Sequence, residues 1–187
     1  MTEGADSDEA LMLRYAAGEA AAFEELYRRH GQRVWRFLKR GLPSAALADE
    51  LLQDVWFAVA REAAAYRPVA KFTTWLYTLA RNRHIDWLRS ARREHALAAT
   101  GEGAAPEQVP DTTEGPRERA EAHETARAVL AAVEQLPAEQ REAFVLQADG
   151  EFSVEDIARM TGVTFETAKS RLRYARTRLK QLLLEYA

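Results

Sequence analysis

An all-α fold of two small helical domains follows from three features of the sequence. Isoleucine occurs only at Ile85 and Ile157, alanine is abundant, and no stretch alternates apolar with polar residues, so strands have little support. Prolines stand where helical patterns begin or end: Pro43 before one, Pro68 after it, and Pro137 in a first helical turn. Between residues 96 and 120 the composition changes. That segment holds three of the six prolines, three of the nine glycines, five acids, two basic residues and no aromatic side chain. It buries too little apolar surface to offset its ordering entropy, which predicts a flexible acidic linker. The 187-residue chain then divides into domains at 8–95 and 121–187.

The elements follow in order. In the first domain, helices are expected at 8–17, 20–40, 45–65 and 72–93, with Gly18 separating the first pair. Leu26, Val34, Phe37 and Leu38 face inward on the second helix, and Leu51, Leu52, Val55, Trp56 and Val59 on the third. In the second domain, helices are expected at 118–135, 138–149, 153–160 and 164–184.

Several classes of function are excluded. With no cysteine there are no disulfides, thiol nucleophiles or zinc–thiolate sites. His30, His84, His95 and His123 are scattered, and no pair has a metal-ligand spacing. The longest uncharged run, Phe72 to Ala80, is too short for membrane insertion. The acidic, polar start of the chain is unlike a signal peptide, so a cytoplasmic location is expected. There is no phosphate loop, nucleophile elbow or zincin motif. Adjacent acids such as Glu24 and Glu25 point to different sides of a helix. No catalytic residue, cofactor or metal is therefore expected, and the chain reads as a non-enzyme. The net charge of −3 by itself argues against nucleic acid, but the distribution of charge reverses that impression.

Three clusters carry the functional signal. Ser153-Val-Glu-Asp156 has the pattern of a capping box opening a short helix. Thr161-Gly162-Val163 then makes a tight turn, and a longer helix starts at Thr164 or Phe165. A short helix, a glycine turn and a longer helix form a helix-turn-helix, whose second helix enters the DNA major groove. That helix carries Lys169, Arg171, Arg173, Arg176, Arg178 and Lys180 with no acid between them. Lys169, Arg173, Arg176 and Lys180 share one face, opposite Leu172, Ala175, Leu179 and Leu182. Six like charges repel one another unless an anion such as phosphate neutralises them.

The second cluster lies in the first domain. Arg81, Arg83, Arg89, Arg92 and Arg93 fall within thirteen residues with Asp86 as the one acid, preceded by Phe72, Trp75 and Tyr77. Guanidinium groups interleaved with aromatic rings suit single-stranded nucleic acid, whose bases stack while its phosphates pair. The spacing of Phe72, Trp75, Leu76 and Leu79 equally fits a buried stripe, whereas Asn82 has no core role. The third cluster gathers Asp49, Glu50, Gln53 and Asp54 on the polar side of the third helix. It reads as a solvated face or as a docking surface for a partner helix.

Four segments in this order resemble the bacterial extracytoplasmic-function (group IV) sigma factors of RNA polymerase. GEAAAFEELYRRH, residues 18–30, is similar to the family's opening helix, and ADELLQDVWF, residues 48–57, to its polymerase-binding helix. FTTWLYTLARNRHIDWLR, residues 72–89, is similar to its minus-ten region. LPAEQREAF, residues 136–144, with the helix-turn-helix and Lys169-Ser-Arg-Leu172, is similar to its minus-thirty-five region.

The resemblance implies roles for particular residues. Asp49, Glu50, Gln53, Asp54 and Trp56 would grip the coiled coil of the polymerase's largest subunit. Tyr66, Arg67, Lys71, Trp75, Arg81, Asn82, Arg83 and Arg89 would engage the melted minus-ten strand, with Asn82 at the pocket for a flipped base. Thr167, Lys169, Ser170, Arg171, Arg173 and Arg176 would face the minus-thirty-five duplex. The acidic linker would run toward the RNA exit path. The implied partners are core RNA polymerase, promoter DNA as duplex and melted non-template strand, and an anti-sigma factor. Two rival readings are a stand-alone helix-turn-helix regulator and a protein-only adaptor. The first leaves the acidic and aromatic-basic helices without a task, and the second leaves the basic recognition helix without one.

Overall fold

The computed structural model describes residues 6–97, 127–150 and 152–184; the side chains of residues 92, 94–97 and 149 are not included. The chain divides into two compact units, Met1–Glu107 and Gln108–Ala187. All the described elements are helical, without a strand among the described residues. The expected linker at 96–120 lies almost wholly outside the described residues.

In the first unit, α1 (Asp8–Ala16) starts under the Ser7 hydroxyl, which accepts the Ala10 amide at 3.2 Å. Gly18, at φ +102°, turns the chain into α2 (Ala20–Lys39), a conformation that a β-carbon disfavours. The Ser44 hydroxyl caps α3 (Ala45–Glu62) through the Leu47 amide. The expected α-helix to residue 65 ends instead in a 3₁₀ turn, Ala63–Ala65, before the extended stretch leading into Pro68. Helix α4 (Phe72–Leu97) runs four residues past its expected end at 93.

The inward residues expected on α2 and α3 are all buried. Phe72, Leu76, Tyr77 and Ala80 of α4 are buried as well. Helix α2 packs on α1 and α3, and α4 packs on all three. Truncating a fully buried leucine such as Leu26 to alanine costs about 2–5 kcal/mol in such a core. Aromatic rings link the layers. Phe23 meets Tyr15 and Trp56 at centroid distances of 4.8 and 5.4 Å, and Phe37 meets Tyr77 at 5.3 Å.

The second unit contains α5 (127–134), α6 (Ala138–Gly150), α7 (Val154–Thr161) and α8 (Phe165–Leu184). Of the expected helix at 118–135, residues 118–126 lie outside the described part. The capping box forms. Ser153 Oγ accepts the Asp156 amide at 3.1 Å, and Asp156 Oδ2 accepts the Ser153 amide at 3.3 Å. Gly162, at φ +69°, closes α7 in the left-handed conformation, and the Val163 amide returns to the Ala158 carbonyl at 3.0 Å. Thr164 then caps α8 by accepting the Thr167 amide at 3.2 Å. Leu172, Ala175, Leu179 and Leu182 form the buried stripe of α8, and the last three pack with Ala132 and Leu136.

Candidate protein and nucleic-acid interfaces

Helical spacing places Glu50, Gln53 and Asp54 on one outer face of α3, and all three are exposed. Phe57 continues that face at i+7 from Glu50 and is 69% exposed. It is absent from the sequence-derived site, although the same spacing marks it. Asp49 is exposed too, but its Oδ1 accepts the indole N–H of Trp35 on α2 at 2.7 Å. The two residues border a groove of about 410 Å³ between α2 and α3, floored by Gly31 and Leu52. Trp56 requires a correction. It is 4% exposed, with Phe23 and Tyr27 packed on its ring, so it supports the acidic face from beneath. The helical period assigns it to the stripe of Leu52, Val55 and Val59.

The minus-ten set divides on α4. Asn82 and Arg89 are exposed and share a face with Asp86 and Arg93 at i, i+4, i+7 and i+11. Asn82 carries a carboxamide, which offers both donors and an acceptor, on this exposed face. Arg89 stands 3.7 Å from Asp86. Trp75 belongs to this face one turn-pair earlier and is half-buried; Arg81 and Arg83 are half-buried on either side of it. Lys71 is exposed. Arg67 is also exposed, with its guanidinium folded onto the carbonyls of Tyr66 and Ala64 at 2.8 and 3.4 Å. The side chain of Arg92 is outside the described residues.

Tyr66 is a second correction. It is 4% exposed, and its ring packs on Trp75 at 5.0 Å and on Phe72 at 6.3 Å. Among the described residues its hydroxyl has no hydrogen-bond partner. Burial pushes its phenol up to about 12, helped by the nearby carboxylates of Glu9 and Asp8. The ring closes the core beneath the loop because the chain must cover Phe72 before it enters α4.

Sequence patterns gave no sign of the polar contacts around these rings. Asp8 accepts from Arg29 at 2.9 Å and lies 2.7 Å from His30 Nε2. The Glu9 carboxylate accepts the Phe72 amide at 2.6 Å. Partners so far apart in sequence leave no local signature. His84 Nε2 lies 3.2 Å from the Gly41 carbonyl, which ties α4 to the turn between α2 and α3.

On α8, Lys169, Arg173, Arg176, Arg178 and Lys180 are exposed. Arg173 lies over the Tyr174 ring at 5.0 Å, and Lys169 lies over the Phe165 ring at 5.7 Å and 3.8 Å from Glu166. Arg171 differs from the expectation that it faces DNA. It is half-buried and pairs with Glu139 of α6 at 2.6 Å. Arg176 reaches α6 as well, donating to Gln147 Oε1 at 2.6 Å. The two arginines flank the buried stripe and fasten α8 to α6. Thr167 is exposed and shares its hydroxyl with Thr164, while Ser170 is half-buried.

Among the described residues no helix is long and apolar enough to cross a membrane. The sequence matches the sigma-70 region 2 family over residues 26–94 and the sigma-70 region 4 family over residues 126–179. It is 34% identical to the RNA polymerase sigma factor CarQ of Myxococcus xanthus over 174 residues, covering 93% of this chain and 96% of the relative. The chain belongs to the extracytoplasmic-function sigma factors of RNA polymerase. The sigma factor SigM of Mycobacterium tuberculosis is also 34% identical, over 95% of this chain and 85% of its own. Two solved structures share the fold. Bartonella quintana RpoE, in complex with the anti-sigma factor NepR, has a TM-score of 0.72 and 24% identity over 86% of this chain and 96% of its own. CnrH, in complex with the cytosolic domain of CnrY, has a TM-score of 0.70 and 23% identity over 97% of this chain and 100% of its own. As a sigma factor the chain directs RNA polymerase to promoters, and the stand-alone regulator is the poorer reading.

Proposed function

We propose that residues 8–95 act as sigma region 2 and residues 121–187 as sigma region 4, with the tasks divided by helix. The outer face of α3, with Glu50, Gln53, Asp54 and the partly engaged Asp49, holds the largest subunit of core polymerase. The α4 face containing Asn82 and Arg89, with Arg81, Arg83, Trp75 and the loop residues Arg67 and Lys71, engages the melted minus-ten strand. The α8 face of Lys169, Arg173 and Arg176, with Thr167 and Ser170, reads the minus-thirty-five duplex. Trp56, Tyr66 and Arg171 support these faces from within.

The observation that carries this reading is the exposed face of α8. Five cations stand outward after a left-handed glycine turn and a capped short helix, while the opposite stripe is buried. Phosphate relieves their mutual repulsion. The net charge of −3 implies weak DNA binding by the free chain and a need for polymerase to present it. The chain is then a cytoplasmic specificity subunit rather than an enzyme. An anti-sigma factor is the expected further partner, as the Bartonella quintana RpoE structure in complex with the anti-sigma factor NepR suggests.

A mobility-shift and transcription assay on randomised promoter duplex tests this reading. Retention and transcription are expected with core enzyme plus the chain, and neither with the chain alone. Tight sequence-specific binding by the free chain would favour the stand-alone regulator.

A further inference from the structure

Helix α4 is entered from a residue that cannot cap it with its side chain. Its first residues are Phe72, Thr73 and Thr74, and Lys71, which precedes them, has only donors on its side chain. The first amides of a helix need acceptors from outside its own ladder, and Ser, Thr, Asp or Asn usually supplies one. Here the acceptor comes from another helix. Glu9 Oε1 of α1 takes the Phe72 amide at 2.6 Å across 63 residues of sequence.

Glu9 is itself held in place. It sits in the first turn of α1 beneath the Ser7 cap, where a carboxylate also complements the helix dipole. Its neighbour Asp8 binds Arg29 and His30 of α2, and the His30 ring lies 5.6 Å from the Phe72 ring. Phe72 in turn lies 5.8 Å from Trp75, whose other side meets Tyr66. The start of α4 is thus fixed by a carboxylate that lies outside the matched region 2 segment of 26–94.

We propose that Glu9 is a positioning residue for promoter opening: it caps α4 from α1 and so sets the direction of the face bearing Trp75, Asn82 and Arg89. The proposal rests on the reading of α4 as the minus-ten helix. A helix whose first turn is not tied down frays and tilts. Each side chain along the face then moves relative to the strand it must hold.

The test uses holoenzyme and a duplex promoter that the wild-type holoenzyme selects from a random library. Opening is followed by permanganate reactivity, and core affinity by titration. Glu9→Ala is expected to slow opening roughly tenfold, the scale of one lost cap, with core affinity unchanged. Glu9→Gln, which keeps an acceptor oxygen, is expected to restore the wild-type rate. Glu9→Asp keeps the charge but is one methylene short, and is expected to behave like alanine. It also serves if alanine unfolds the chain. Amide exchange should accelerate at Phe72 to Trp75 and not on α2 or α3. Wild-type opening by the alanine and aspartate variants overturns the proposal. So does a parallel loss of core affinity, or a glutamine variant as slow as alanine. Asn82→Ala is the reference: if it slows opening and loss of the Glu9 cap does not, the cap falls and the α4 reading stands. If neither slows opening, both fall.

Discussion

The indole N–H of Trp35 on α2 donates to Oδ1 of Asp49 on α3 at 2.7 Å, and this bond sets Asp49 apart from the other acids on its helix. Part of its hydrogen-bonding capacity is used within the protein, whereas Glu50 and Asp54 face outward. Asp54→Arg is therefore expected to weaken core binding by about 2–5 kcal/mol, the cost of an interface charge left unpaired. Asp49→Asn keeps an oxygen for Trp35 and should cost under about 1 kcal/mol, the scale of an exposed charge. Titration of core enzyme with labelled chain measures both. Normal co-purification of the Asp49→Arg, Asp54→Arg double variant with core enzyme would remove α3 as the anchor.

Phe57 stands at the end of the same face with its ring in solvent. A phenylalanine there contributes little to folding, so Phe57→Ser should change stability by no more than about 0.5 kcal/mol. If the ring seats against polymerase it is an anchor, and its loss should cost about 2 kcal/mol of affinity. Equal core affinity for wild type and Phe57→Ser would leave the acids without an apolar centre.

Trp56 and Phe57 show what was legible in the sequence and what was not. Both fall in the segment that resembles the polymerase-binding helix. The 3.6-residue period, applied strictly, places Trp56 with Val55 and Val59 in the core and Phe57 outside. Helix positions, caps and buried stripes were legible because they depend on neighbours within one or two turns. The Gly162 turn and the Ser153–Asp156 box formed as their spacing required. Contacts such as Glu9 with the Phe72 amide, Arg171 with Glu139 and Arg176 with Gln147 join residues far apart in sequence. Charge pattern alone could not tell an arginine facing DNA from one fastening two helices together.

Tyr66 supplies a prediction about pH. Its buried hydroxyl has no partner among the described residues, so Tyr66→Phe should leave the fold intact and raise its stability by about 1 kcal/mol. Burial holds the folded phenol at about 12, above its ordinary value near 10. A raised folded value gives stability that is present below pH 10 and lost as pH rises through 12. All four tryptophans, Trp35, Trp56, Trp75 and Trp87, lie in the first unit, so their fluorescence in urea reports on that unit alone. Between pH 10 and 12 the wild type should lose stability faster than Tyr66→Phe. Promoter opening by the variant should be normal. A large opening defect would place the hydroxyl on the DNA after all.

Arg171, Arg173 and Arg176 should separate in function although they lie within six residues. Arg173 is exposed and rests on Tyr174, while Arg171 and Arg176 reach α6. Arg173→Ala should cost roughly 1–3 kcal/mol on the wild-type upstream element if the contact is to a base, without loss of stability. Arg171→Ala should lower stability by less than about 1 kcal/mol, since Glu139 is largely in solvent, and leave discrimination unchanged. Arg176→Ala should show some of each effect. Binding assays on wild-type and scrambled upstream duplexes distinguish these outcomes. An equal further loss from Arg173→Ala on both duplexes would show that it does not read the element.

Asn82 tests whether α4 opens DNA. It stands ten residues beyond Phe72, roughly 15 Å along the helix, on the outer face that continues to Arg89 and Arg93. A carboxamide both donates and accepts, which suits a base edge. Arg89 stands along the same face and Arg81 beside it, and guanidinium groups suit the phosphates that flank a base. A base leaving the duplex loses a few kcal/mol of stacking and pairing, and contacts on the protein must offset that loss. Removing one side chain from an exposed helix position should not disturb the fold, so Asn82→Ala holoenzyme should assemble and bind promoter duplex normally. Its strand opening should be slower or less stable, seen as reduced permanganate reactivity of thymines near the start site. On a pre-melted bubble that keeps the flipped base, the cost of unpairing is removed but the lost hydrogen bonds are not. Activity there should recover only in part. Duplex opening by Asn82→Ala at the wild-type rate would mean that the carboxamide holds no base and that the minus-ten contact lies elsewhere on α4.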